Sequence, residues 1–378
     1  MRFDSSKMPL SYIQLVDFLG CIVNGGNLNS VVLKELSVTD WERLYSLSKR
    51  QGVTAVLFEK IQSLPKEVAA PRTVALKWMV HSLSIEKLTK AIYKRCADFA
   101  QLMHEHGLRA MVLKGVSVSR YYPNPWHREF GDLDCYLYKK TVDGIVWNGC
   151  YEEGNKVAEK AGYSVNRGHY KHSHINFEGL EVENHQFSLA IKDGRDTKTL
   201  ERALRRLVEQ QGGDVAIGDS KLYCPPADFN ALFLTAHAMS HFLYESIKMR
   251  HVLDWALFLK AEQDNVDWDN FWSWCGRMHY TRFVQCMNYI CVLHLGLQIH
   301  AFTVARDKKI ERLSTRILKD IFEGDSLYTK GYKGLRFRLA LAASYFKSMW
   351  KFHRIYQRSA LWLLTKRALG MLVKEVKL

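Results

Sequence analysis

No C-x-x-C pair occurs among the eight cysteines of this 378-residue chain, so neither a thiolate zinc site nor the disulfide framework of a small secreted domain is indicated. The cysteines read as reduced, mostly core residues. No apolar run reaches the roughly 18 residues that a membrane-spanning helix needs. The opening MRFDSSKMPL also carries an acid where a secretory leader needs a basic and then an apolar run. The expected location is therefore the cytoplasm. Internal repeats and low-complexity segments are missing as well, and with 47% hydrophobic and 25% charged residues the chain has the composition of a globular protein with a large core. Acid is in short supply: 39 Asp and Glu face 54 Lys and Arg, a net charge of +15 that favours polyanionic or phosphorylated partners.

What is present changes character twice along the chain. Residues 1–107 carry helical patterns. In one of them Thr39 pairs with Glu42 as a capping box, Trp41, Leu44 and Leu47 recur at helical spacing, and Gly52 stops the run. A longer pattern ends at Gly107. Over residues 108–222 short apolar stretches alternate with Gly, Pro and Asn breaks, the texture of a small mixed sheet. Beyond YCPPAD, Asp228 opens a helical region that runs to the end. The reading is an α+β protein: an N-terminal helical arm (1–107), a mixed-sheet core (108–222) and a C-terminal helical region with a basic tail (223–378).

Chemistry concentrates in LKGVSVSRYYPNPWHREFGDLDCYL, Leu113 to Leu137. Side chains two apart in a strand share a face, so Asp132 and Asp134 point the same way, about 7 Å apart. Two such acids repel unless a cation sits between them, and hard oxygen donors suit Mg²⁺ held jointly with substrate phosphates. Upstream, a strand, a Gly turn and a short helix let backbone N–H groups near Gly115 approach a phosphate, with Lys114 adding a point charge. The plainer reading is a strand edge with solvated acids.

A strand ending in glycine, a short helix and then hydrophobic-Asp-hydrophobic-Asp resembles the nucleotidyltransferase superfamily that includes DNA polymerase β. More narrowly, Leu113, Lys114, Gly115, Tyr122, Pro123, Pro125, Arg128, Asp132 and Asp134 are similar to the motif of a bacterial nucleotidyltransferase family described as uncharacterised. The superfamily's usual Gly-Ser is here Gly115-Val116-Ser117, which agrees with the narrower family.

The resemblance implies a third carboxylate on a neighbouring strand, followed by a histidine. GLEVENHQFSL supplies Glu183 and His185, with Glu181 on the same face as a rival and Asn184 where an apolar residue is usual. His172 and His174 share a face of the preceding strand, in a hairpin closed near Glu178 and Gly179. The implied chemistry is attack of an acceptor hydroxyl on the α-phosphate of an NTP, releasing pyrophosphate. Asp132, Asp134 and Glu183 would hold two Mg²⁺ ions, while Lys114, Gly115, Ser117 and Arg128 would serve the phosphates.

Farther on, His237 and His241 lie four apart on one helical face, a spacing that suits zinc. No Glu follows His237 and no His-Asp dyad is present, so a metal-dependent phosphohydrolase is the minor alternative. The resemblance instead implies that His185, His237, His241, Arg250 and Asp254 are substrate-side or helix-packing polar residues. The tryptophans at 268, 272 and 274 read as packing anchors rather than base-stacking platforms. A further alternative is a catalytically silent nucleotide- or polyanion-binding module. The acceptor stays open among a sugar phosphate, another small molecule, an RNA end and a protein side chain. From Lys330 onward twelve basic residues face one acid, Glu375, and Lys347, Lys351, Arg354 and Arg358 fall on one helical stripe beside Trp350 and Trp362. The stripe reads either as a solvated face or as a docking surface for RNA or an anionic membrane.

Overall fold

The computed structural model describes residues 9–26, 33, 36–189, 194–211, 215–324, 336 and 347–358. Helices α1 (Leu10–Asn24), α2 (Val38–Gln51), α3 (Thr54–Ile61) and the long α4 (Arg72–Glu105) precede the sheet. The cap of helix α2 lies two residues before the expected one. Ser37 accepts from the Asp40 amide and Asp40 accepts from the Ser37 amide, so this pair forms the capping box in place of Thr39 and Glu42. Trp41, Leu44 and Leu47 are buried as the spacing predicts, and Gly52 ends the helix at φ +65°. Helix α4 likewise stops at Gly107, φ +75°.

The middle of the chain forms an α+β core: β1 (Arg109–Val112), α5 (Val116–Ser119), β2 (Asp132–Thr141), β3 (Gly144–Val146), α6 (Cys150–Lys160), β4 (Ser164–Asn166), β5 (His172–Phe177), β6 (Leu180–His185), α7 (Arg195–Gln211), β7 (Val215–Ala216) and β8 (Leu222–Cys224). The mixed sheet runs β4-β5-β6-β2-β1-β8-β7, with β3 paired to the far end of β2. Strand β2 is central: β1 is antiparallel on one side and β6 parallel on the other. The aspartates are therefore not on a solvated sheet edge.

Alternation along β2 splits its side chains. Leu133, Cys135 and Leu137 enter an apolar layer with Phe99 and Met103 of α4 and Val157 and Ala158 of α6. Gly154 lets α6 come this close, since a Cβ there would overlap the Leu137 side chain. Asn184, polar where an apolar residue is usual, lies in this covered layer with its side-chain nitrogen satisfied and its Oδ1 without a hydrogen bond. Its amide donates to the Tyr151 carbonyl and to Asn155 Oδ1, both at 2.9 Å, and the Ser173 hydroxyl donates to the same oxygen at 2.6 Å. The opposite face carries Asp132 and Asp134 at one end and buried Tyr136 and Tyr138 farther along.

Tyr136 and Tyr138 join the larger hydrophobic cluster, which unites Leu15, Phe18 and Trp41 of the first helices with those that follow the sheet. These are α8 (Ala227–Tyr244), α9 (Met249–Glu262), α10 (Trp268–Met278), α11 (Thr281–Tyr289) and α12 (Lys308–Glu323). Trp268 is buried, and Trp272 and Trp274 pack against the same cluster, as anchors should. All eight cysteines are buried, and none forms a disulfide. No helix among the described residues is long and apolar enough to cross a membrane.

The basic stripe does not form as one face. Residues Lys351–Tyr356 are a π-helical turn, whose wider winding breaks the 3.6-residue register. Lys351 is 2% exposed, with its Nζ 2.6 Å from Asp320 and over the Phe242 ring, and Arg358 lies 3.8 Å from Asp196. Acids of α12 and α7 thus stand beside two of the four charges. Trp362 lies outside the described residues.

Candidate active site

Parallel pairing of β2 with β6 sets Asp132 beside Glu181 and Asp134 beside Glu183. Both glutamates share the face of the aspartates, but they are used differently. Glu183 contributes an oxygen to a group in which single atoms of Asp132, Asp134 and Glu183 all lie within 4.8 Å of one another. Glu181, whose side chain is 61% exposed, is 2.6 Å from His174 Nδ1. The β5–β6 hairpin closes at Glu178 and Gly179, both at positive φ.

Cations already sit among these acids. Lys114 Nζ lies 3.3 Å from Asp132 Oδ2 and 2.9 Å from Asp134 Oδ2. His185 is fully buried. Its Nδ1–H donates to the Phe187 carbonyl at 3.0 Å, and its Nε2 lies 3.2 Å from Asp134 Oδ1 and 3.3 Å from Glu183 Oε2. The two aspartates consequently titrate in opposite directions. Burial, then the charge of Asp134, pushes Asp132 above the usual carboxylate range. Burial would raise Asp134 too, but the hydrogen bond with His185 and the charge of Lys114 overcome it and hold Asp134 far below that range. Glu183 is lowered in the same way: burial opposes, and the His185 hydrogen bond prevails. An ammonium lodged between two aspartates marks the position as one that accepts a cation, and the three carboxylates supply the hard oxygen donors that suit Mg²⁺.

A family model described as uncharacterised nucleotidyltransferase matches residues 37–296. The chain belongs to that nucleotidyltransferase family. Membership carries a general nucleotidyl-transfer role with an NTP as substrate, and the matched segment contains every residue of the site from Lys114 to Asp254. No curated protein and no solved structure matches the chain.

In this nucleotidyltransferase Asp132 opens onto a cavity of about 260 Å³ between the sheet and the helices that follow it, lined on the sheet side by Lys114, Gly115 and Asp132. Gly115 has φ +67°, a conformation that strains any residue with a side chain. From the helices come His237, His241, Arg250 and Asp254. His237 stacks on Phe233, and burial, then the charge of Lys114, drives it well below the usual imidazole range. His241 Nδ1 lies 2.8 Å from Glu245, and Arg250 donates to the Glu129 carbonyl at 2.8 Å.

Two expected phosphate contacts are arranged otherwise. Ser117 is fully buried in α5, its hydroxyl without a hydrogen bond, and it does not line the cavity. Arg128 touches the cavity wall but is 5% exposed and bidentate on Asp254, with Nε–Oδ1 at 2.9 Å and a terminal nitrogen–Oδ2 at 2.8 Å. Tyr122 adds its hydroxyl to Asp254 Oδ1 at 2.7 Å. The motif's Tyr and Arg thus clamp the loop before β2 onto α9, their charge and hydrogen-bonding demand met inside the protein.

The structure also brings in residues that the sequence reading passed over. Lys248 and His251 line the cavity; the Lys248 amide donates to His251 Nδ1 at 2.9 Å, and burial pushes His251 down to about 3. Lys171, just before β5, is lowered by burial and feels both Asp134 and Glu183. The one signal for it was its place in the basic run RGHYKHSH.

Proposed function

We propose that the protein is a Mg²⁺-dependent nucleotidyltransferase that moves a nucleoside monophosphate from an NTP to a hydroxyl of an acceptor. The observation that carries this reading is the convergence of Asp132, Asp134 and Glu183 from two adjacent strands, beside a cavity that Lys114, Gly115 and Asp132 line. These three carboxylates would hold two Mg²⁺ ions, which supply charge neutralisation for the triphosphate and lower the pKa of the acceptor hydroxyl.

The chain's own residues perform the rest. The acceptor oxygen attacks the α-phosphorus, the bond from that phosphorus to the β-bridging oxygen breaks, and pyrophosphate leaves with the bonding electron pair. Glu183 receives the acceptor's proton on its carboxylate. Lys114, beside the Gly115 turn, would offer its charge to the phosphates. His237, His241, Lys248 and Arg250, on the opposite wall, orient the substrates, while Arg128 and Asp254 keep that wall in register with β2.

The test is incorporation of label from each α-labelled NTP, with Mg²⁺, into fractions of a cell lysate offered as acceptors. Glu183→Gln should abolish transfer while Mg-NTP still binds in calorimetry, and Glu181→Gln should transfer at close to the parent rate. Full transfer by Glu183→Gln would remove that residue from the chemistry. Absence of transfer by the parent protein with every nucleotide and fraction, alongside normal Mg-NTP binding, would favour a silent binding module.

A further inference from the structure

A second group of donors adjoins the three carboxylates and differs from them in kind. Cross-strand register places His172 of β5 directly opposite His185 of β6, with ring centroids 5.0 Å apart. Glu183 stands on the same face, two residues before His185. One donor atom each of His172, Glu183 and His185 lies within 4.8 Å of the others.

We propose that His172, Glu183 and His185 form a nitrogen-rich cation position that takes a divalent transition ion of the Zn²⁺ or Co²⁺ type, next to the oxygen-only position of Asp132 and Asp134. The inference shares Glu183 with the nucleotidyl-transfer reading and rests on it only there.

Three observations carry it. First, the His185 ring is oriented from outside: a carbonyl oxygen can only accept, so Nδ1 bears the proton given to Phe187 and Nε2 is the nitrogen aimed at Glu183 and Asp134, where a bound ion would take the place of its proton. A backbone carbonyl on the distal nitrogen is the usual support of a metal-bound histidine. That carbonyl is itself held, because Glu201 accepts from the Ser188 and Leu189 amides at 3.1 and 2.9 Å and the Phe187 amide donates to the Lys171 carbonyl at 3.2 Å. Second, His172 Nδ1 is buried, makes no hydrogen bond, and lies 3.3 Å from Glu183 Oε2. With the imidazole proton on Nε2, the Nδ1 lone pair faces the carboxylate oxygen, a repulsion that a cation between them would remove. Third, the donor set discriminates. Two imidazoles and one carboxylate are a ligand set for Zn²⁺ and for other first-row transition ions, whereas Mg²⁺ keeps to oxygen and gives up its water reluctantly.

Co²⁺ titration of the full-length, metal-stripped protein tests this by visible absorption, without reference to turnover. Bound by two imidazoles at low coordination number, Co²⁺ should give d–d bands far stronger than those of the aquo ion, and excess Mg²⁺ should not erase them. His172→Ala should lose the bands and weaken Co²⁺ binding by roughly tenfold or more, with the far-UV spectrum unchanged. Asp132→Asn, which leaves the three donors in place, should keep them. Weak aquo-like bands in the parent protein, or bands that survive in His172→Ala, would overturn the proposal. Mg²⁺-supported nucleotide transfer by a protein without the bands would sink this inference alone. Intense bands without any transfer would support it and count against the transfer reading instead.

Discussion

Asp254→Leu is the most informative single substitution, because it separates a structural Arg128 from one that serves phosphates. Arg128 and Asp254 are both buried, joined by two hydrogen bonds of 2.9 and 2.8 Å, and Tyr122 depends on the same carboxylate at 2.7 Å. Removing one partner of such a pair leaves a buried charge and costs about 3–5 kcal/mol, and the orphaned Tyr122 hydroxyl adds about 1 kcal/mol. For a chain of this length the unfolding entropy is about 0.8 kcal/mol/K, so a midpoint lower by about 4–8 °C is expected. Arg128→Met should cost a similar amount, and the Arg128→Met, Asp254→Leu double variant should recover most of it. The coupling energy should be roughly 3 kcal/mol. The pH dependence has a definite sign. Against burial, Arg128 holds the Asp254 carboxyl below its ordinary value, so its contribution is fully present above about pH 4 and is lost as pH falls through the lowered native value. Asp254→Leu should lack that acid-sensitive component. Thermal unfolding of the four proteins, followed by circular dichroism between pH 3 and 7, reads all of this. Additive costs, within about 0.5 kcal/mol, would refute the clamp and return Arg128 to the phosphates.

Two further predictions follow from the charge arrangement. Asp132→Asn should raise the thermal midpoint at pH 7 in the absence of metal, since Asp132 is held above its ordinary pKa and its charged form opposes folding, whereas Asp134→Asn should lower it, at a stability cost of about 1.5–3 kcal/mol, through the loss of its charge-assisted bonds; equal effects of the two in differential scanning calorimetry would contradict the assigned partners. Lys351→Ala should destabilise by about 3–5 kcal/mol because it strands Asp320, while Lys347→Gln should stay within about 0.5 kcal/mol; urea melts in which the two behave alike would restore the solvated stripe.

Local chemistry made much of the protein legible from its residues. The shared face of Asp132 and Asp134 follows from strand periodicity alone, as do the buried Trp41, Leu44 and Leu47 from helical periodicity. Turn glycines at 52 and 107 and the hairpin end at Glu178 and Gly179 are equally local, because positive φ is a property of the residue and its turn. Periodicity alone did not decide between near-equivalent residues. Ser37 and Thr39 offered the same cap at the same spacing, and Glu181 and Glu183 the same strand face. The parallel register of β6 on β2 set Glu183 beside the buried Asp134 and left Glu181 to His174. Nor does a sequence say which cations are already paired: Arg128 lies 126 residues from Asp254, and Lys351 is covered by Phe242 and Asp320. Periodicity assigns a side chain to a face, but whether that face meets solvent, substrate or an opposite charge depends on contacts between distant segments, which only the folded chain creates.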